Sequence, residues 1–237
     1  MLKIENTEVL GWEHAIRGMR NPMNSWEKSD SVIGYAENNN TFEVGPNDHQ
    51  LMTQLRNAGT DHRKFMRMIT VYLDITAPLY WWKEFDTYKV GTVANSCSTM
   101  HKIHAKEFDV NDFSHEHIEE LDSDEYNMSY DWLLRTVDIM NYYRKKYNAA
   151  SEKLKRDITD AERKHVLAQQ KLFWWQMIQL LPSSYNQKRT VMLNYEVLAN
   201  IYKSRKNHKL DEWHTFCDWV KSLPYSELIT GEFTDDK

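Results

Sequence analysis

Residues 68–89 read MITVYLDITAPLYWWKEFDTYK, and the change of pattern inside this stretch decides the fold class. β-Branched and aromatic residues dominate 68–76, the composition that a pleated, half-buried strand favours. Ala77-Pro78 ends that run. Proline fixes φ and lacks an N–H, so Pro78 suits the first position of a helix covering 79–89. A strand that passes directly into a helix is a unit of mixed α and β architecture.

Working outward gives the same mixture. Leu2, Ile4 and Val9 predict a short strand. Residues 18–30, GMRNPMNSWEKSD, read as a loop, because the Asn21-Pro22 step disfavours helix ahead of the proline. Asn38, Asn39 and Asn40 mark a turn. Asn47 or Asp48 is expected to cap a helix through Leu51, Met52 and Leu55 to about Ala58, with Gly59 closing it. Beyond the central stretch, Gly91 opens a polar loop over 91–104, and 107–125 is acidic and loop-like. Two long amphipathic helices follow. The first carries Tyr130, Leu133, Leu134, Val137 and Met140 at helical spacing. The second is capped by Asp160, carries Leu167, Trp174, Ile178 and Leu181, and ends at Leu181-Pro182. A strand at TVML (190–193) runs into the helix YEVLANIYKSR (195–205). A last helix carries Trp213, Phe216, Cys217, Trp219 and Val220. No repeat or linker interrupts the chain, so 1–237 reads as a single domain of helix-rich α/β (α+β) class.

Composition bounds the function. The 237 residues suffice for a sizeable core. The net charge of −5 argues against DNA or RNA binding through a broad basic face. No apolar run approaches membrane-spanning length, and the first residues lack the pattern of a signal peptide. The two cysteines, Cys97 and Cys217, suit a reducing compartment, and the cytoplasm is expected. His101 with His104, His115 with His117, and His208 with His214 match no recognised ligand spacing, so no metal site is expected. Arg144, Lys145, Lys146, Lys153, Lys155 and Arg156 form a basic cluster that suits either a phosphate or a hydrated helix end. Trp81-Trp82 and Trp174-Trp175 suit either stacking on a flavin or base, or core packing. There is no Gly-rich phosphate loop and no nucleophile elbow, so no catalytic residue is assigned.

Two segments resemble the flavin-dependent thymidylate synthases (ThyX). In 74–103, DITAPLYWWKEFDTYKVGTVANSCSTMHKI, Ala77-Pro78 and the following helix match the lead-in to that family's signature. In 180–213, Leu181-Pro182, Asn194, Leu198, Asn200 and Arg205 fall at the family's intervals. The signature itself is rewritten. Its Arg-His-Arg stands as Thr87, Tyr88 and Lys89, and its first Ser as Thr92. Its Asn-Glu is Ala94-Asn95, its second Ser is Cys97, and its closing Arg-Tyr is Thr99-Met100. A preceding Gln is Glu84, an Arg before Leu-Pro is Ile178, and an Arg two residues after the first Asn is Glu196.

The resemblance implies a ThyX-like fold with a central sheet flanked by long helices, FAD as cofactor, a nucleotide substrate and a homotetramer. It places Tyr88, Lys89, Thr92, Asn194 and Asn200 at the cofactor. It places Glu84, Thr87, Thr99 and Arg205 at the substrate. The lost arginines weaken the expected hold on a phosphate dianion, which bidentate arginine binds best. Arg63, Arg67, Lys83, Arg144 and Lys203 are candidate replacements. Two readings follow: a divergent flavin-dependent nucleotide methylase (dUMP to dTMP class), or an inert nucleotide-binding or sequestering protein on the same fold. Drift of this kind is expected on phage genomes.

Overall fold

The structure is a computed structural model, and it describes residues 1–36, 39–119 and 128–233. The expected turn at Asn38 and the end of the acidic stretch, 120–125, lie outside the described residues. In chain order the elements are β1 (Lys3–Leu10), α1 (Trp12–Arg20), β2 (Val32–Ala36), β3 (Asn39–Glu43), α2 (Pro46–Asn57), β4 (Thr70–Pro78) and α3 (Leu79–Phe85). Then come β5 (Val93–Ser96), α4 (Thr99–Lys102), α5 (Glu116–Glu119), α6 (Met128–Leu154), α7 (Asp160–Leu180), β6 (Asn186–Asn194), α8 (Tyr195–Arg205), α9 (Asp211–Lys221) and α10 (Glu227–Thr230). Single turns of 3-10 helix cover 21–23, 26–28, 63–67 and 110–112. Four strands form one sheet in the order β1-β4-β6-β5. β2 and β3 form a separate antiparallel ribbon, Val32 opposite Glu43 and Ala36 opposite Asn39. The class is the helix-rich α/β (α+β) architecture that the sequence predicts. No described helix is long and apolar enough to cross a membrane.

The chain divides into two compact units. One comprises Met1, 76–84 and 96–188, the other 2–75, 85–95 and 189–237. In the first unit α6 and α7 pack along each other, joined by the short connection 155–159. Their core unites Leu133, Val137, Met140 and Met177 with Ile103, Phe108 and Phe113. The predicted stripes are shifted. Leu134 and Leu167 are exposed, whereas Val166 is buried. Both helices carry apolar residues around most of their circumference, so spacing alone does not select the buried face. The α7 cap is Thr159 rather than Asp160: its hydroxyl accepts the Glu162 N–H while the Glu162 carboxylate accepts the Thr159 N–H, a closed capping box.

The second unit holds most of the sheet. Val71, Leu73 and Ile75 of β4 are buried at period two, with Tyr72 between them exposed. Val191 and Leu193 of β6, and Leu198 and Ile201 of α8, join this core. Each such side chain contributes about 1.5–3 kcal/mol by leaving water. α1 falls partly within the stretch read as loop; its Trp12, Ala15, Ile16 and Met19 are buried at helical spacing. α2 begins one residue before its expected caps. Gly45 at its N-cap has no side chain, and Asp30 supplies the acceptor instead, taking the N–H groups of Asn47 at 2.9 Å and Asp48 at 3.1 Å. A Cβ on Gly45 would collide with that carboxylate, which is why the position is glycine.

Candidate functional site

Asn194 decides where α8 starts. Its Oδ1 accepts the Val197 N–H at 3.0 Å, so β6 stops and the helix begins at the next residue. At about 100° per residue, Glu196 and Asn200 share one face of α8, and Arg205 lies roughly opposite Glu196. The two faces carry different groups. Glu196 is buried, hydrogen-bonded to Arg67 and 3.4 Å from Arg63 Nε. Arg63 Nη2 also donates to Asn200 Oδ1 at 3.2 Å. Burial pushes the Glu196 carboxyl up, but the hydrogen bonds and charges of Arg67 and Arg63 prevail and hold it below its ordinary value. Glu196 is therefore ionised at neutral pH. Two of the candidate phosphate-binding arginines are thus engaged with a carboxylate of their own unit. Glu196→Gln is expected to lower stability by about 1–2 kcal/mol, less than a fully buried pair because Arg67 is half exposed. Denaturant titration checks it.

On the other face Arg205 packs between rings. Its Nε donates to the Tyr88 hydroxyl at 2.9 Å. Its guanidinium carbon lies 4.8 Å from the Trp213 ring centre and 5.6 Å from that of Tyr88. Trp213 stacks in turn on Phe85, which is buried. Thr87 and Lys89 flank Tyr88 and are exposed. Past them Gly91 adopts φ +79, and a Cβ there would sit 2.9 Å from Asn194 Nδ2. Thr92 follows, its hydroxyl oxygen buried with no hydrogen-bond partner among the described residues. The second unit thus pairs Tyr88 with Arg205 and brings the Gly91-Thr92 turn onto Asn194. It leaves Asn200 with Arg63 on the Glu196 face.

Glu84 and Thr99 belong to the first unit. Glu84 is half-buried on α3. Thr99 opens α4, behind the Ser98 cap, whose hydroxyl accepts the His101 N–H at 3.1 Å. Thr99 Oγ1 accepts from Gln187 Nε2 at 3.1 Å. Thr99 and Gln187 line a cavity of about 410 Å³ that also meets Lys102, Lys106, Asp112 and Asn186, and Glu84 is not part of its lining. Spacing gave no hint of this group, because 97–112 and 185–188 come together only in the fold. Trp81 and Trp82 are fully buried and pack edge to face, so they are core. Trp174 donates to the Met100 carbonyl at 2.9 Å, and Trp175 is exposed. In the basic cluster, Lys155 pairs with Glu152 and Lys146 lies over the Tyr142 ring. Among the described residues no group of three or more His, Cys, Asp or Glu is placed to hold a metal ion.

These elements define a helix-rich α/β fold in which Asn194 caps α8 at the β6-α8 junction, and Asn200 and Arg205 lie further along that helix. No family profile matches the chain, and no curated protein matches it. Solved structures do. A flavin-dependent thymidylate synthase ThyX from Helicobacter pylori, complexed with FAD and dUMP, is similar over 98% of this chain and 100% of its own, with TM-score 0.62 and 15% identity. A second structure of Helicobacter pylori ThyX with FAD and dUMP is similar over 98% of each chain, with TM-score 0.60 and 14% identity. The chain has the ThyX fold.

Proposed function

We propose that this chain binds FAD and a nucleotide, and that it is a divergent flavin-dependent nucleotide methylase of the dUMP-to-dTMP class with a rewritten substrate pocket. The observation that carries the proposal is the likeness of nearly the whole chain to structures that hold FAD and dUMP together. The residues present suit a flavin. Thr92 has a buried hydroxyl without a partner among the described residues, and Asn194 retains its Nδ2 after spending Oδ1 on the helix cap. These two, with Tyr88, Lys89 and Asn200, are the groups that would hold it. A bound flavin supplies the redox chemistry, while the protein binds and orients. For the nucleotide, the positions that the resemblance implies are Thr87 and Arg205 in the second unit and Glu84 and Thr99 in the first. The residues 1–237 would act as one domain, since the chain crosses between the two units within β4, β5 and β6. The free thiols of Cys97 and Cys217 agree with a cytoplasmic setting.

One observation favours a second reading, an inert nucleotide-binding or sequestering protein on this fold. Arg63 and Arg67 serve Glu196, an internal charge at the position of a ThyX arginine. The spectrum of the freshly purified protein separates the two, followed by mass spectrometry of what heat releases. A flavin spectrum is expected. A colourless protein that releases a nucleotide supports sequestration, and one that releases nothing and takes up no added FAD rejects both. We also propose a homotetramer. Trp132, Tyr142 and Leu172 expose apolar surface on α6 and α7, of the kind that interfaces cover. Light scattering at micromolar concentration is expected to give the mass of four chains, and a monomer mass would reject the assembly.

A further inference from the structure

We infer that the cavity in the first unit is a subsite for a phosphate monoester, held by Lys102, Lys188 and Asn186 instead of by arginines. The inference rests on the nucleotide-binding reading above and names where the ligand's anionic end is held. None of these three residues stands at a position matched to the ThyX signature. The volume, about 410 Å³, lies within the range of small-molecule sites.

The polar lining is rich in donors. Asn186 Oδ1 accepts from the Ser114 hydroxyl at 2.9 Å, but its Nδ2 is buried with no partner among the described residues. A buried donor left unbonded is uncommon and calls for an acceptor. The Lys102 ammonium makes no hydrogen bond or ion pair among the described residues. Ser98 and Thr99 each accept one hydrogen bond through the hydroxyl oxygen, and each keeps its own proton to donate.

The charge count points the same way. Lys102, Lys106 and Lys188 line the cavity, against Glu107 and Asp112. Both carboxylates have a cation at hand: Lys106 lies 2.7 Å from Asp112, and Lys145 lies 4.0 Å from Glu107. An incoming anion therefore meets uncompensated positive charge at Lys102. Lysine acts as a compact point charge on phosphate, without the fork that arginine presents to a planar carboxylate. Phe108 and Ile103, both buried, give the cavity an apolar wall. The combination fits an organic phosphate better than a bare ion.

Calorimetric titration of the full chain with dUMP, deoxyuridine and inorganic phosphate tests the subsite, using Lys102→Met, Lys188→Met and Asn186→Asp. The aspartate keeps an oxygen for Ser114 and turns the donor into an acceptor. Each variant is expected to weaken dUMP and phosphate binding about tenfold or more, with deoxyuridine binding unchanged. Melting temperatures identify any variant that fails to fold, and the two lysine variants decide the matter if Asn186→Asp does. Wild-type dUMP affinity in both lysine variants overturns the subsite. So does a wild-type chain that takes up FAD but binds neither phosphate-bearing probe, and the flavin reading then stands alone. Lysine-dependent phosphate binding by a chain that takes up neither FAD nor dUMP keeps the subsite and rejects the nucleotide reading.

Discussion

Replacing Asp48 with asparagine is expected to destabilise the protein by about 3–5 kcal/mol, because it leaves Arg20 charged and buried without its counter-ion. Arg20 is 4% and Asp48 0% exposed, and Arg20 Nε donates to Asp48 Oδ1 at 2.6 Å. The pair is the centre of a larger assembly. Arg20 also donates to the carbonyls of Ser25 and Lys28. Asp48 Oδ2 accepts from the hydroxyls of Ser29 and Ser31 and from the N–H groups of Asp30 and Ser31. One carboxylate thereby fixes the 25–31 segment between α1 and α2. A fall in melting temperature on the order of 10 °C follows for a chain of this size. The pH dependence has a definite sign. Burial raises the Asp48 carboxyl, but its hydrogen bonds from Ser31, Ser29 and Arg20 outweigh this and leave it below the ordinary value. A depressed carboxylate adds stability above its unfolded pKa, about 3.9, and loses it as pH falls through the lower folded value. The wild type should therefore lose stability below about pH 4 more steeply than Asp48→Asn. Replacing both partners, Arg20→Met with Asp48→Leu, should not restore stability, since the Asp30 and Ser31 amides would lose their acceptor. A fully stable double variant would show that the pair offsets only its own desolvation.

What the sequence revealed and concealed divides along the range of the interactions. β4 was legible because β-branched and aromatic residues dominate 68–76, a signal held within the strand itself. The β6-α8 junction was legible because Asn194 caps the helix from three residues away. β5 was not: Val93 to Ser96 is exposed along its whole length, and it is a strand through pairing with β6, which has no signature in its own residues. The cap of α2 was equally hidden, because Asp30 reaches it from outside the helix. α1 had a local signal, at Trp12, Ala15, Ile16 and Met19, which the loop chemistry around Asn21-Pro22 obscured.

The candidate site follows the same rule. Asn194, Asn200 and Arg205 were marked only by the family resemblance, at the cap and along α8. Their pairings were not legible. The Glu196 cluster joins residues 129 and 133 positions apart, and Arg205 meets Tyr88 across 117. Charge-changed positions such as Glu196 look like simple losses in the sequence. In the fold, Arg63 and Arg67 stand beside that carboxylate and balance it.

Arg205→Ala is expected to reduce nucleotide affinity by about tenfold to a hundredfold, the effect of one charge-assisted hydrogen bond. It should also lower stability by about 1–2 kcal/mol, because the guanidinium packs against Trp213 and Tyr88 and donates to the Tyr88 hydroxyl. The two effects are separable. Tyr88→Phe removes the acceptor for Arg205 Nε while keeping a ring beneath the cation, so it reports the structural share. Arg205→Lys keeps the charge but loses the flat guanidinium that lies over Trp213, and should fall between wild type and alanine in both measurements. Calorimetric dUMP titration beside thermal melting gives affinity and stability on the same samples. A cation that only braces the end of α8 would lower the melting temperature of Arg205→Ala and leave affinity untouched, and that outcome would remove Arg205 from the nucleotide site. A loss of affinity larger in Arg205→Ala than in Tyr88→Phe, at matched stability, would place its charge on the ligand.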